Sequence, residues 1–149
     1  MNIGILGAGN IAGSMARTIC GMAAQGRPVT LCAVASRSQE KADAFAKAYG
    51  IPRAYGSYAA MLNDPLVELV YIATPHSHHA EQIRQCVAAG KPVLCEKSFT
   101  ANAKQAEDVL REAEAAGVYV AEAIWTRYMP ARWMIADTVS YTHLRAHET

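Results

Sequence analysis

Four short stretches of this 149-residue chain hold residues whose types and spacing could do chemistry: GAGNIAG at 7–13, Ser36-Arg37, ATPHSHH at 73–79, and Glu96-Lys97. The first fits G-x-G-x-x-A through Gly7, Ala8, Gly9, Asn10, Ile11 and Ala12, directly after the apolar run Ile3–Leu6 and before a helical pattern. In that setting Gly7 permits a tight turn and Gly9 lets backbone approach a pyrophosphate. Ala12 keeps helix close to strand, and the helix N-terminus offers oriented N–H donors. A tight turn with no ligand would use the same glycines. The position at the start of a βαβ pattern favours dinucleotide binding.

The same fingerprint requires an acidic residue at the end of the second strand, to hold the ribose hydroxyl pair. Ser36 stands there instead, followed by Arg37. A small hydroxyl beside a guanidinium suits a 2′-phosphate, which a fork of donors can bind bidentately with its charge matched. The pair favours NADP(H) over NAD(H); the plain alternative is a solvated arginine on a loop.

ATPHSHH leaves a strand through Thr74-Pro75 and enters a helix, with His76, His78 and His79 crowded together. A metal site is disfavoured: apart from Cys86 no ligand lies at helical spacing, and no acidic partner pattern follows. A helix N-terminus facing cofactor and substrate fits better, with Thr74 and Pro75 shaping the nicotinamide–ribose pocket and His79 hydrogen-bonding nearby. In VLCEKSFTANA, residues 93–103, an apolar run stops at Glu96 and Lys97. One reading delivers a lysine to an oxidised nicotinamide, where it suits proton transfer at a substrate hydroxyl. Glu96 then orients Lys97 or holds a cofactor hydroxyl. The other reading is a surface ion pair at a strand end, common and worth little. Spacing alone leaves the two even.

The elements that must position these residues alternate along the chain. VTLCAVA (29–35), LVYIA (69–73), PVLCE (92–96) and VYVAEA (118–123) read as strands covered on both faces. Helical patterns run through Met15, Ile19 and Met22, and from N-cap Ser38 to Gly50. Two more cover 58–63, closed by Asn63-Asp64-Pro65, and His78–Ala89. A last helix, Ala101–Ala116, has Ala103, Ala106, Val109, Leu110 and Ala113 on one stripe. This alternation predicts an α/β fold, a doubly wound parallel sheet with helices on both faces. Ligands then bind beyond the strands' C-terminal ends, where all four stretches fall.

Hydrophobic residues at 52%, charged residues at 18% and a net charge of +1 suit one ordinary domain. No basic block recommends nucleic acid or an anionic membrane, and no apolar run reaches membrane-spanning length. A strand begins within three residues of Met1, which leaves no room for a signal peptide. Cys20, Cys32, Cys86 and Cys95 lack C-x-x-C spacing and sit in apolar segments, which predicts buried free thiols in a reducing cytoplasm. After Val139 the chain reads SYTHLRAHET, without periodicity or apolar stripe. Residues 140–149, with His143 and His147, resemble a non-native read-through tail.

Taken in order, GAGNIAG, ASR, ATPHSHH and GKPVLCEKS resemble the N-terminal domain of the Gfo/Idh/MocA oxidoreductases. IPRAYGSY (51–58) and EAIWTRYMP (122–130) resemble its NADP-dependent dihydrodiol dehydrogenase branch, also associated with D-xylose 1-dehydrogenase activity. The resemblance runs from residue 1 to about 139. It implies a Rossmann domain over 1–123, and a connection over 124–139 to a second α/β domain that this sequence does not contain. It implies hydride transfer from a CH–OH group of a sugar or cyclic diol to NADP, with Lys97 as catalytic lysine and Glu96 beside it. Gly7, Gly9, Asn10 and Ile11 match the phosphate loop, Ser36 and Arg37 the 2′-phosphate site, and Thr74, Pro75 and His79 the nicotinamide side. Trp125 and Arg127 stand where this branch brings groups towards cofactor and substrate; interdomain packing is their other use.

Two departures bear on the expectation. Ser98 replaces the proline that usually follows the lysine, so the restriction a proline places on Lys97, and its own access to a cis bond, are absent. The second domain would supply most of the substrate pocket and further catalytic groups. The chain therefore reads either as the cofactor-binding part of an oxidoreductase or as a non-catalytic dinucleotide-binding module. Family dimers form through the missing sheet. Without it, an apolar surface around Trp125, Met129, Trp133, Met134 and Ile135 predicts self-association.

Overall fold

The computed structural model describes residues 1–141, with side chains described through Val139. Six short segments form strands: β1 (Asn2–Leu6), β2 (Thr30–Ala35), β3 (Arg53–Tyr55), β4 (Leu69–Ile72), β5 (Val93–Cys95) and β6 (Val120–Glu122). Helices α1 (Asn10–Ala24), α2 (Gln39–Tyr49), α3 (Tyr58–Leu62), α4 (His79–Ala88) and α5 (Ala103–Ala116) connect them, and α6 (Pro130–Tyr141) follows the last strand. All neighbouring strands pair in parallel, in the order β3-β2-β1-β4-β5-β6. This is the doubly wound Rossmann arrangement, with its crevice where the winding reverses between β1 and β4.

The register brings the strand ends level. Leu6 pairs with Ala35 and Ile72, Ala35 with Tyr55, Ile72 with Cys95, and Cys95 with Glu122. The ladder extends one residue further: Gly7, Ser36, Ala73, Glu96 and Ala123 each donate an N–H to the carbonyl of Ala35, Tyr55, Leu6, Ile72 and Cys95, at 2.7–3.0 Å. One row of residues thus forms the crest from which the candidate groups rise.

Both sheet faces are buried. On one, Leu6, Val70, Ile72 and Val93 pack with Ile83 of α4 and Val109 of α5. On the other, Ile5, Val34 and Tyr71 pack with Ala12, Ala16 and Ile19 of α1 and Ala46 of α2. The buried face of α1 is Ala12, Gly13, Ala16 and Ile19, with Met15 and Met22 only half-buried. Small residues bring this helix close to the sheet, which a search for large apolar side chains overlooks. On α5 only Val109 and Ala113 are buried; Leu110, a hundred degrees round the helix from Val109, and Ala103 are exposed. The cap predictions for α2 agree with the structure: Ser38 Oγ accepts the Lys41 N–H at 3.3 Å, and Gly50 ends the helix at φ 67°.

Strand β3 has three half-buried residues, too few to show alternation in the sequence. Buried Asp64 ties it down, accepting from Arg53 Nε, the Tyr55 hydroxyl and the Leu66 N–H, each at 2.9 Å. Those donors, the Leu66 N–H foremost, hold the Asp64 carboxyl below the usual carboxylate range. Helix α6 runs through Tyr141, into the stretch read as a tail; residues 142–149, with His143 and His147, lie outside the described residues. Among the described residues no helix is long and apolar enough to cross a membrane.

Candidate nucleotide-binding site

At the reversal point the crest opens into a cleft of about 230 Å³. Gly7, Ala8 and Gly9 form one side, Ala73, Thr74 and Pro75 another, and Ser36, Arg37, Lys41 and Tyr58 the far end. Gly7 has φ +105°, and a Cβ there would lie 2.9 Å from the Ala73 carbonyl oxygen. Only glycine meets both demands. Gly9 differs. It caps α1 at φ −99°, no side chain caps that turn, and a Cβ would meet nothing within 4 Å. The space beside the helix N-terminus is therefore open, and no acidic residue occupies the first turn. An anion fits there, held by backbone donors and the helix dipole. Gly13 went unnoticed in the sequence: a Cβ there would stand 2.5 Å from the Tyr49 hydroxyl, so it lets α1 close on α2 beneath the loop.

Ser36 is buried and Arg37 exposed at the cleft. Lys41, four residues further on, lines the same end, and among the described residues no carboxylate forms an ion pair with either cation. Tyr58 completes this end; burial raises its phenol pKa, and Arg37 opposes that shift. Sequence reasoning missed Lys41 and Tyr58. No spacing in the sequence marks either residue, since α2 and α3 bring them to the cleft.

The remaining predicted residues divide. Thr74 and Pro75 line the cleft, with the Thr74 hydroxyl donating to the buried Gln82 side chain. His79 is turned into the protein at 1% exposure, its Nδ1 2.9 Å from the Ser98 carbonyl oxygen and its Nε2 2.9 Å from that of Thr74. The ring thus bridges the β4–α4 turn and the loop after Lys97, beside Thr74 of the cleft lining and outside that lining itself. His76 and His78 are exposed on a 3-10 turn, and among the described residues no three His, Cys, Asp or Glu groups gather where they could share an ion. Asn10 and Ile11, on the first turn of α1, are exposed and outside the cleft lining.

Glu96 and Lys97 do not form the side-chain ion pair of the plain reading. One Glu96 oxygen accepts from the buried Tyr71 hydroxyl, and the other accepts the Lys97 backbone N–H at 3.1 Å. The Lys97 side chain is exposed. The Lys97–Ser98 peptide is cis with serine in the proline's place. Glu122 reaches the same loop, accepting the Phe99 N–H at 2.9 Å. Trp125, 62% exposed, and Arg127 lie on a 3-10 turn after β6. Neither lines the cleft; Arg127 borders a separate groove of about 590 Å³ with Ile124, Met129, Arg132 and Ile135. Cys32, Cys86 and Cys95 are buried as expected, and burial pushes the Cys86 thiol up to about 12, but Cys20 is exposed.

Comparison with known proteins agrees with this fold. Residues 1–124 match the GFO/IDH/MocA family, described as an oxidoreductase family with an NAD-binding Rossmann fold. Mouse trans-1,2-dihydrobenzene-1,2-diol dehydrogenase is 41% identical over 128 residues, which span 86% of this chain and 38% of that enzyme. The D-xylose 1-dehydrogenase (NADP(+)) of Hypocrea jecorina is 36% identical over 145 residues, 92% of this chain and 37% of that enzyme. A 3-ketoreductase from Actinomadura kijaniata, solved with NADP, superposes with a TM-score of 0.85 at 28% identity, covering 94% of this chain and 44% of its own. The chain thus spans about two fifths of the length of such relatives.

Proposed function

The chain belongs to the GFO/IDH/MocA oxidoreductase family, and on that premise we propose that it is the NADP-binding part of a dehydrogenase acting on CH–OH groups of a sugar or cyclic diol. The observation that carries this reading is the open space at Gly9, beside an uncapped helix N-terminus and within one cleft with the cations Arg37 and Lys41. Backbone N–H groups of the first turn of α1 bind the pyrophosphate, and Arg37 and Lys41 hold the 2′-phosphate, which a carboxylate at Ser36 would repel. Thr74 and Pro75 wall the nicotinamide–ribose side. When bound, the cofactor supplies the acceptor for the hydride leaving the substrate carbon. Lys97 takes the proton from the substrate hydroxyl oxygen, and Glu96 fixes the backbone that carries Lys97. Trp125 and Arg127 serve substrate and interdomain packing. Relatives named for a diol and a sugar support the substrate class, and the three buried thiols support a reducing cytoplasm.

A second reading, a non-catalytic dinucleotide-binding module, is favoured by the exposure of Lys97, which no second wall encloses among the described residues. The test is NADP+-dependent oxidation of trans-diols and aldoses by this chain, beside Lys97→Met. Turnover lost in the variant supports the enzyme reading. Equal turnover in both removes Lys97 from the chemistry, and nucleotide binding without turnover favours the module.

A further inference from the structure

Tyr71 raises a question that packing does not answer. At 2% exposure it fills the core between β4 and the α1–α2 layer. A phenylalanine would fill nearly the same volume without a hydroxyl to desolvate. Among the described residues the hydroxyl has one hydrogen-bond partner, Glu96 Oε1, at the crest of the adjacent strand. The Glu96 backbone is fixed by its own bond to the Ile72 carbonyl at 3.0 Å, so β4 holds this residue at both main chain and side chain. The second carboxylate oxygen is left for the Lys97 N–H at 3.1 Å.

We propose that Tyr71 is a positioning residue: its buried hydroxyl fixes the Glu96 carboxylate, and through it the backbone of Lys97, before any ligand arrives. Burial first, and then the bond to Glu96, raise the phenol pKa above the usual tyrosine range. The group is therefore a donor throughout the neutral range, and the carboxylate always finds it. A carboxylate without this donor could turn towards solvent, releasing Lys97 N–H. The consequence for catalysis rests on the role proposed for Lys97, whereas the structural claim stands on the apo chain alone.

Hydrogen exchange at individual amides of the 149-residue chain tests it, comparing wild type, Tyr71→Phe, Glu96→Ala and the double variant. Tyr71→Phe should speed exchange at Lys97 about fivefold or more, while the Glu96 amide, bonded to Ile72, keeps its protection. Glu96→Ala should free Lys97 at least as much, and adding Tyr71→Phe to it should change Lys97 no further. Unchanged Lys97 exchange in Tyr71→Phe, or equal effects of Tyr71→Phe with and without Glu96, would overturn the proposal. If Tyr71→Phe loosens the whole sheet, exchange at Glu96 rises with Lys97 and the hydroxyl is structural, which also overturns it. Failure of the wild-type chain to bind NADP+ would remove the cofactor reading and leave this measurement intact.

Discussion

Two glycines in one turn should fail in opposite ways when each becomes alanine. At Gly7 the methyl group meets backbone, 2.9 Å from the Ala73 carbonyl oxygen, at φ +105°. That dihedral alone costs about 1–3 kcal/mol. The carbonyl belongs to the residue whose N–H bonds Leu6 at 2.8 Å, so relief must disturb the β1–β4 ladder. A total of about 2–4 kcal/mol follows, or a fall in Tm on the order of 10 °C for a chain of this size. At Gly9 the methyl group meets nothing within 4 Å, and φ −99° suits alanine. The weaker capping by alanine and the smaller entropy of its unfolded chain roughly cancel, leaving stability within about 0.5 kcal/mol of wild type. The methyl group does stand where a pyrophosphate must approach, so NADP+ affinity should fall at least about tenfold. Thermal unfolding and calorimetric titration of both variants give the assay. Gly9→Ala binding NADP+ as wild type does would refute the placement of the phosphates, and Gly7→Ala with unchanged Tm would refute the steric argument.

Other outcomes follow from the described geometry. Asp64→Asn should lower stability by about 2 kcal/mol, because a buried acceptor of three donors loses its charge beside Arg53. Since the folded pKa of Asp64 is depressed, its contribution is complete above the unfolded value of about 3.9 and is lost as pH falls through the folded one. Urea unfolding from pH 7 down to about pH 2 should therefore show wild type and variant converging only in acid; parallel curves would contradict it. The exposed Trp125, Tyr128, Trp133, Met134 and Ile135 around α6 should make the chain self-associate. Sedimentation should show mass rising with concentration, an effect removed by Trp133→Ser with Ile135→Asp.

The doubly wound parallel sheet and the placement of four motifs on one crest were legible because parallel strands buried on both faces are written as continuous apolar runs. Strand β3 was not, since Arg53, Ala54 and Tyr55 are half-buried and their pairing depends on a carboxylate nine residues beyond Tyr55. The phosphate loop was legible through Gly7 and Gly9, whose reasons are local. Gly13 required knowing that Tyr49 packs across it. Lys41 and Tyr58 reach the cleft through the geometry of α2 and α3, which no spacing rule reports. His79 shows the converse: a motif residue beside the site whose ring the fold spends on two carbonyl groups. The partner of Glu96 was hidden for the same reason, because Tyr71 lies on another strand and reads as core.

The central claim, an NADP-selective cleft at the α1 N-terminus, is tested most directly by calorimetric titration of the chain with NADP+ and NAD+, beside Arg37→Ala. NADP+ should bind more tightly than NAD+, and Arg37→Ala should erase the difference by weakening NADP+ about ten- to a hundredfold, as loss of a charge-assisted contact implies. Equal affinity for both nucleotides in the wild-type chain, or NADP+ binding untouched by Arg37→Ala, would contradict it.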